Sequence, residues 1–267
     1  MNVPAPRRLA LTGLELATLA GRAGWTPPPG FGGPRAAPGA LRRAEAGLVE
    51  RGIMTTGPGA GGPSLAVPVA ANLAVFAAAV ATICVESRVR GDGSTAWYAV
   101  TDRLGASLFA LGDGAAELSL FPAELLGREL IRAVPSFPPD DETARAFALG
   151  LAPEPPPAGR APLAALAHQD ADPDTADGTP LSWREREFAE HLRRRTFGML
   201  RCLVTGAPDG WRVAGQVLWL ATDAGWVGAL PAGAEHGRRM VDLIPVTRQQ
   251  IGAWIAPHLS TVVGATR

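Results

Sequence analysis

Lysine is absent from this sequence of 267 residues, and all 25 basic residues are arginine. This absence excludes chemistry that depends on a lysine ammonium, such as phosphate binding by a P-loop lysine or Schiff-base formation. The basic residues are matched by 25 acidic residues, so the formal net charge is zero. A neutral chain gives no electrostatic reason to expect binding to nucleic acid or to an anionic membrane. The abundance of alanine, glycine and proline is typical of a high-GC bacterial genome.

Cysteine and histidine are also scarce. Cys84 and Cys202 lie in apolar segments, and we expect buried free thiols, as is usual in a reducing cytosol; a disulfide is the alternative. The four histidines are scattered, without HExxH spacing or a Cys-x-x-Cys motif beside them: His168, His191, His236 and His258. Metal sites use such ligands at regular spacings, so the sequence predicts no metal and no cofactor.

Motifs of nucleophilic catalysis and phosphate binding are missing as well. No serine lies in a Gly-x-Ser-x-Gly motif, and neither cysteine has a Cys-His signature. The glycine-rich segment 57–62 lacks the Gly-Lys-Ser/Thr ending of a phosphate loop, and proline removes backbone N–H donors there. The carboxylates at 140–142 are interpreted as first-turn charges of a helix. The sequence therefore predicts a protein that is not an enzyme and has no catalytic residue.

Only one apolar run, residues 65–85, approaches the length of a membrane span. It is rich in alanine, which contributes little to membrane insertion compared with leucine or isoleucine. We interpret it as a buried helix over Pro68–Val80 that leads into a strand. Residues 1–11 are not followed by an apolar stretch of signal-peptide length, so we expect a cytoplasmic protein.

The most informative positive feature is a repeated order of sequence features, an internal echo, in two segments of the chain. The first, about Thr82–Ala133, contains a Gly-Asp-Gly turn, a strand ending in Thr-Asp and a proline before a helix. The second, from about Met199, repeats an Asp-Gly turn, a Thr-Asp ending and a pre-helix proline in the same order. The corresponding residues are Asp92 and Asp209, Asp102 and Asp223, and Pro122 and Pro245.

This echo predicts one α+β domain of two pseudo-repeated halves. The halves are about 1–134 and 181–267, and a connector rich in proline and aspartate, 135–180, joins them. The acidic part of the connector lacks the apolar residues needed to offset the entropy of ordering.

Three further helices are predicted outside the repeated strands. Apolar spacing indicates helices over Leu9–Ala23 and Ala40–Arg51, and the second ends at Gly52. The pair resembles the front of a winged helix, but mixed charges favour a helical lid on the sheet over DNA binding. A capping box at Ser182 begins a third helix that runs to about Thr196. Its arginines and glutamates are typical of a solvated face, and a docking face for an acidic partner is the alternative.

Tryptophans fall on predicted strands, at Trp97, Trp211, Trp219 and Trp226. In the strand around Trp219, Leu218 and Leu220 lie on the face opposite to that of Trp219. Apolar residues on both faces are typical either of a central strand covered on both sides or of a surface that binds a partner. We interpret them as core.

Several stretches of the sequence also resemble one known family. They are Leu11-Thr12-Gly13-Leu14-Glu15-Leu16, Glu50-Arg51-Gly52-Ile53, the segment from Val217 to Trp226, and Ile244-Pro245-Val246-Thr247 through Leu259. Together they resemble the EspG family of chaperones from type VII (ESX) secretion loci of actinobacteria. The resemblance implies a cytosolic α+β protein with a quasi-two-fold central antiparallel sheet flanked by helical bundles. It also implies binding of small helical secretion substrates of the PE–PPE or WXG type by protein–protein contact.

The sequence departs from the family at its strand connections. Family members that hold PPE proteins use an extended loop between sheet strands, whereas the turns Asp102–Gly105 and Asp223–Gly225 are short. A client other than a PPE-type protein is therefore an open alternative.

Our leading hypothesis is a chaperone or adaptor that masks the apolar tip of a secreted helical protein until export. The alternative is a small-molecule-binding or transcription-regulatory module in which the region of Trp97 and Trp219 lines a pocket. A hydrolase with an unrecognised site is a third alternative. No partner-binding residue is assigned from the sequence.

Overall fold

A ten-stranded sheet, antiparallel throughout, forms the centre of the molecule. The computed structural model describes residues 7–31, 37–56, 63–136, 155–166, 182–206, 212–235 and 238–265. These residues include six α-helices in addition to the sheet. The predicted fold class, a quasi-two-fold antiparallel α+β sheet flanked by helices, is confirmed.

The first part of the chain supplies seven strands and four helices. In chain order they are β1 (Arg7–Leu11), α1 (Gly13–Ala23), α2 (Pro38–Glu50), β2 (Met54–Thr55), β3 (Ser64–Leu65), α3 (Val67–Ala77), β4 (Ala81–Val89), β5 (Asp92–Val100), β6 (Leu104–Ala110), β7 (Ala116–Pro122) and α4 (Leu126–Ala133). Strands β2 and β3 form a separate two-stranded ribbon.

The second part supplies the remaining strands and two helices. They are β8 (Gly159–Pro162), α5 (Trp183–Arg195), β9 (Thr196–Gly206), β10 (Arg212–Thr222), β11 (Gly225–Glu235), β12 (Arg238–Val246) and α6 (Ile251–Ala265). Strand β8 lies within the predicted connector 135–180, of which only 135–136 and 155–166 belong to the described residues.

The sheet is organised around the central pair β4–β9, which runs from Ala81 opposite Gly206 to Val89 opposite Gly198. From this pair, β4 to β7 and β9 to β12 extend outward as two meanders, and β1 and β8 add the edge strands. A 3-10 turn follows each meander and leads into α4 or α6. This order gives the quasi-two-fold arrangement. A duplication of halves 1–134 and 181–267 stays a prediction, which superposition of the two meanders would test.

Helices α4 and α6 cover one face of the sheet, which we call the α4/α6 face. Helix α6 packs over β9 and β10, α4 packs over β4 and β5, and the two helices contact each other. Their core includes Ile83, Tyr98, Val204, Trp219 and Ile255, all fully buried. This continuous core bridges the two meanders.

The opposite face carries two separate helical layers. Helices α1 to α3 cover β5 to β7, with a core that includes Leu16, Leu48 and Leu108. Helix α5 and the 3-10 turn at Leu163–Leu166 form the second layer, whose core includes Leu192 and Leu220. The middle of this face, between the two layers, belongs to neither core.

The N-terminal residues differ from the sequence-based prediction. Residues 7–11 form strand β1 paired with β7, so the predicted helix start at Leu9 is wrong. The helix begins at Gly13, because Thr12 and Glu15 form a capping box that ends the extended segment. The predicted helix within 68–80 is confirmed as α3, although it ends at Ala77. None of the helices in the described part of the chain is both long enough and apolar enough to span a membrane.

Candidate partner-binding surface

The tryptophans that suggested a pocket lie on opposite faces of the sheet. Trp219 is fully buried on the α4/α6 face, where its ring lies edge-on to Trp254 at a centroid distance of 5.8 Å. Trp97 lies opposite Cys84 and Leu108 and packs against the core beneath α1 to α3. The prediction that Trp97 and Trp219 line one pocket is therefore wrong. Trp226 is buried on β11, and Trp211 lies outside the described residues.

The two cysteines lie on the central pair of strands. Cys84 is opposite Leu203, and Cys202 is opposite Val85, so the two thiols point to different faces of the sheet. Both are buried and free, which confirms the prediction of free thiols. Burial, with a smaller effect of the Glu86 carboxylate, raises the pKa of Cys84 to about 12. Burial also raises the pKa of Cys202. Neither thiol is suited to nucleophilic chemistry.

The two histidines in the described ranges, His191 and His258, lie on helices that cover opposite faces of the sheet. His191 lies on α5, and the ring of His258 packs against the backbone at Gly215, where a Cβ would overlap it. His168 and His236 lie outside the described residues. In the ranges that the structure describes, no three His, Cys, Asp or Glu side chains are placed to hold a metal ion.

The arginine-rich helix α5 has the predicted capping box at Ser182. Its exposed face carries pairs between Glu190 and Arg193 at 3.2 Å and between Glu190 and Arg194 at 3.9 Å, as expected for a solvated face. Arg195 has a different role, because it binds Asp223 at 2.7 Å and donates to the Pro155 carbonyl at 2.9 Å. It thereby ties the end of α5 to the β10–β11 turn.

The predicted short turns are present in both meanders and have the same local structure. Thr101 Oγ1 donates to the Leu104 carbonyl at 3.0 Å, and Thr222 Oγ1 donates to the Gly225 carbonyl at 2.7 Å. The β4–β5 hairpin is equally tight, since only Arg90 and Gly91 separate the strands and both have positive φ. These connections present no extended loop above the sheet.

The two helical layers leave the middle of their face partly open. The side chains there come from three neighbouring strands, β4, β9 and β10, and alternate with those that enter the α4/α6 core. We call this surface the central strip; it comprises Thr82, Cys84, Glu86, Arg201, Leu203, Thr205, Gln216 and Leu218. Strand pairing arranges these residues in rows across the sheet.

The apolar part of the central strip belongs to none of the three cores described above. Leu203 lies between Cys84 and Gln216, and Leu218 lies opposite Arg201. Both leucines are partly exposed, whereas Leu220, two residues further along β10, is buried under α5. The strip therefore presents two partly exposed leucines that the helices in the described ranges do not pack.

The two ends of the central strip differ in polarity. At one end, Thr82 and Thr205 are opposite each other, and their hydroxyls are hydrogen-bonded at 2.7 Å. At the other end, Glu86 and Arg201 are directly opposite and both exposed. No hydrogen bond or ion pair among the described residues uses either of these charged side chains. The strip thus has two leucines at its centre and the opposite charges Glu86 and Arg201 at one end, where exposed Arg88 follows Glu86 on the same face of β4.

Sequence reasoning missed this surface. The alternation along β10 places Leu218 on the face away from Trp219 and predicts that both residues belong to the core, whereas the structure leaves Leu218 partly exposed. The sequence signal for this surface is the presence of apolar residues on both faces of β10, a pattern that also fits a binding surface. Only strand order and helix placement distinguish the covered Leu220 from the open Leu218.

Comparison with known proteins identifies a similar fold. The sequence matches no family model and no curated protein. Among solved structures, the chain is similar to the Mycobacterium tuberculosis type VII secretion system chaperone EspG5, solved in complex with the PE25–PPE41 dimer. The TM-score is 0.57, the sequence identity is 12%, and the alignment covers 96% of each chain. The likeness establishes an EspG-like fold over nearly the whole chain.

Proposed function

We propose that this protein is a cytoplasmic, non-enzymatic chaperone or adaptor for a small helical substrate of a type VII secretion system in an actinobacterial host. Two observations support this proposal. The fold is similar to that of a chaperone solved with a PE–PPE dimer, and the sheet presents a strip with two partly exposed leucines that the described helices do not pack. The second observation carries the proposal, since it belongs to this chain's own residues.

Masking is the mechanism that fits this surface. A helical partner laid on the central strip would bury Leu203 and Leu218 together with its own apolar side chains. Burial of apolar area contributes about 25 cal/mol per Å². Because both leucines are already partly buried, each contributes less than about 1.5–3 kcal/mol, the contribution of a fully exposed leucine that becomes buried. The partner's apolar tip would stay covered until export.

The client class is proposed as a helical protein of the PE–PPE or WXG type. The β4–β5, β5–β6 and β10–β11 connections are tight and leave the flat strip as a contact surface beside them. This feature supports a partner that presents a helix side to the sheet. It leaves room for a client other than a PPE-type protein.

Calorimetry with purified PE–PPE dimers and WXG-type proteins from the same genome tests the proposal. We expect micromolar or tighter binding that Leu203→Asp or Leu218→Asp abolishes. Leu230→Asp is the matched control, because Leu230 is an exposed leucine, 40% accessible, that faces the opposite side of the sheet. Absence of binding by every protein, together with a metabolite that raises the melting temperature, would favour the small-molecule alternative instead.

A further inference from the structure

The central strip contains two opposite charges that no hydrogen bond or ion pair among the described residues uses. Glu86 on β4 and Arg201 on β9 are direct neighbours across the central strand pair. Cross-strand neighbours of opposite charge usually stabilise a sheet by pairing with each other. Here both side chains are exposed, and no ion pair within 4.0 Å joins them. Their charges remain available to a partner.

Two partly exposed leucines lie beside this charged pair. Leu218 lies directly beside Arg201, and Leu203 lies two residues along β9 from Arg201. A partner that covers the two leucines must therefore place something against Glu86 and Arg201. Leaving either charge buried without a counter-charge would cost binding free energy.

The spacing matches one kind of partner surface. Residues opposite each other on antiparallel strands have Cα atoms about 4.5–5.5 Å apart. Residues three or four apart on a helix have Cβ atoms about 5–6 Å apart. One helix can thus present an acidic side chain to Arg201 and a basic side chain to Glu86 at the same time.

We propose that Glu86 and Arg201 are specificity-determining residues that select a helix carrying an oppositely charged i,i+3 or i,i+4 pair beside its apolar stripe. This inference rests on the proposed function and adds to it. An acidic member facing β9 and a basic member facing Glu86 on β4 would favour one direction of the helix, and exposed Arg88, two residues beyond Glu86 on the same face of β4, adds a second cation at this end of the strip. The opposite end of the strip, with its hydroxyl pair, supplies no such preference.

The test is a double charge reversal, Glu86→Arg with Arg201→Glu. It keeps the net charge and keeps opposite charges on facing strand positions, so a role in sheet stability alone would leave partner binding unchanged. The control reverses Arg22 and Glu45, an exposed pair 2.7 Å apart between α1 and α2. The probes are purified PE–PPE dimers and WXG-type proteins, titrated one at a time against folded variants.

We expect the Glu86/Arg201 reversal to weaken binding about 5- to 10-fold at low salt, because two attractive contacts become repulsive. The loss should shrink at high salt, which screens exposed charges. The Arg22/Glu45 control should change affinity less than about twofold. Equal affinities for the wild-type chain and the Glu86/Arg201 reversal, with Leu203→Asp still abolishing binding, would overturn this inference alone. Failure of every probe to bind the wild-type chain would overturn the proposed function and this inference with it.

Discussion

The core of the α4/α6 face allows a comparison between two buried tryptophans in contact. The rings of Trp219 and Trp226 lie 6.2 Å apart, and both residues are at most 5% exposed. They differ at the indole nitrogen. Trp226 Nε1 donates to the Pro135 carbonyl at 3.3 Å, whereas Trp219 Nε1 is buried and has no hydrogen-bond partner among the described residues. Substituting each by phenylalanine therefore separates ring volume from hydrogen bonding.

The expected magnitudes follow from this difference. Both substitutions remove a similar volume, so their cavity costs are comparable. Trp219→Phe also removes an unpaired buried donor, which returns about 1–3 kcal/mol of desolvation cost. Trp226→Phe instead loses a hydrogen bond worth about 0.5–1.5 kcal/mol. We therefore expect Trp226→Phe to be more destabilising than Trp219→Phe by at least about 1.5 kcal/mol.

Urea unfolding followed by far-UV circular dichroism measures this difference, since the signal does not depend on the substituted tryptophan. Trp219→Ala serves as a reference, and its free energy of unfolding should be about 3–5 kcal/mol lower than that of the wild-type chain. If Trp219→Phe proves as destabilising as Trp226→Phe, the indole of Trp219 has a partner in solution, and the reasoning from an unpaired donor is refuted.

Three further outcomes concern stability and reactivity. Gly228→Ala should lower the free energy of unfolding in urea by about 1–3 kcal/mol, because the added Cβ would overlap an indole of α6. Gly112→Ala is the control and should change this free energy little, because Gly112 is exposed with open space around it. Similar losses in both variants would contradict this packing. Burial raises the pKa of Glu15, but hydrogen bonds from Thr12 and the Arg51 guanidinium outweigh it and hold the pKa below its usual value. The stabilisation by the Glu15 carboxylate is thus present above the usual carboxyl pKa and is lost as the pH falls through the lowered pKa of Glu15. Glu15→Gln should therefore lower the free energy of unfolding by about 1 kcal/mol at pH 7 and leave it unchanged in strong acid. Unfolding measured as a function of pH checks this. Iodoacetamide at pH 8 should leave Cys84 and Cys202 unmodified until urea unfolds the chain; labelling of the native protein would contradict their burial.

Local signals in the sequence were sufficient for several elements. Ser182 and Glu185 form the capping box that starts α5, as their spacing predicts. The Thr-Asp endings at Thr101 and Thr222 form tight turns, because each threonine hydroxyl can close the turn by a hydrogen bond. These features depend on residues within three or four positions of each other.

Edge strands and the central strip depend instead on contacts between distant residues. The apolar spacing predicts a helix from Leu9, which includes the last three residues of β1, because a short apolar segment fits either structure until β7 supplies a pairing partner. Strand β8 follows the proline run 155–157, ends at Pro162 and shows no alternation of buried and exposed residues, so it is defined by its pairing with β12. The open position of Leu218 requires knowledge of which helix covers which strand. Periodicity in one chain cannot supply that information.

Photo-crosslinking from position 203 tests most directly whether the central strip is the partner-binding surface. A photoreactive amino acid would replace Leu203 in one variant and Leu230, on the opposite face, in another. Each variant would be irradiated with a purified PE–PPE or WXG-type protein that binds the wild-type chain. The account predicts a covalent product from position 203 and none from position 230. A product from position 230 alone, or equal yields from both positions, would contradict it.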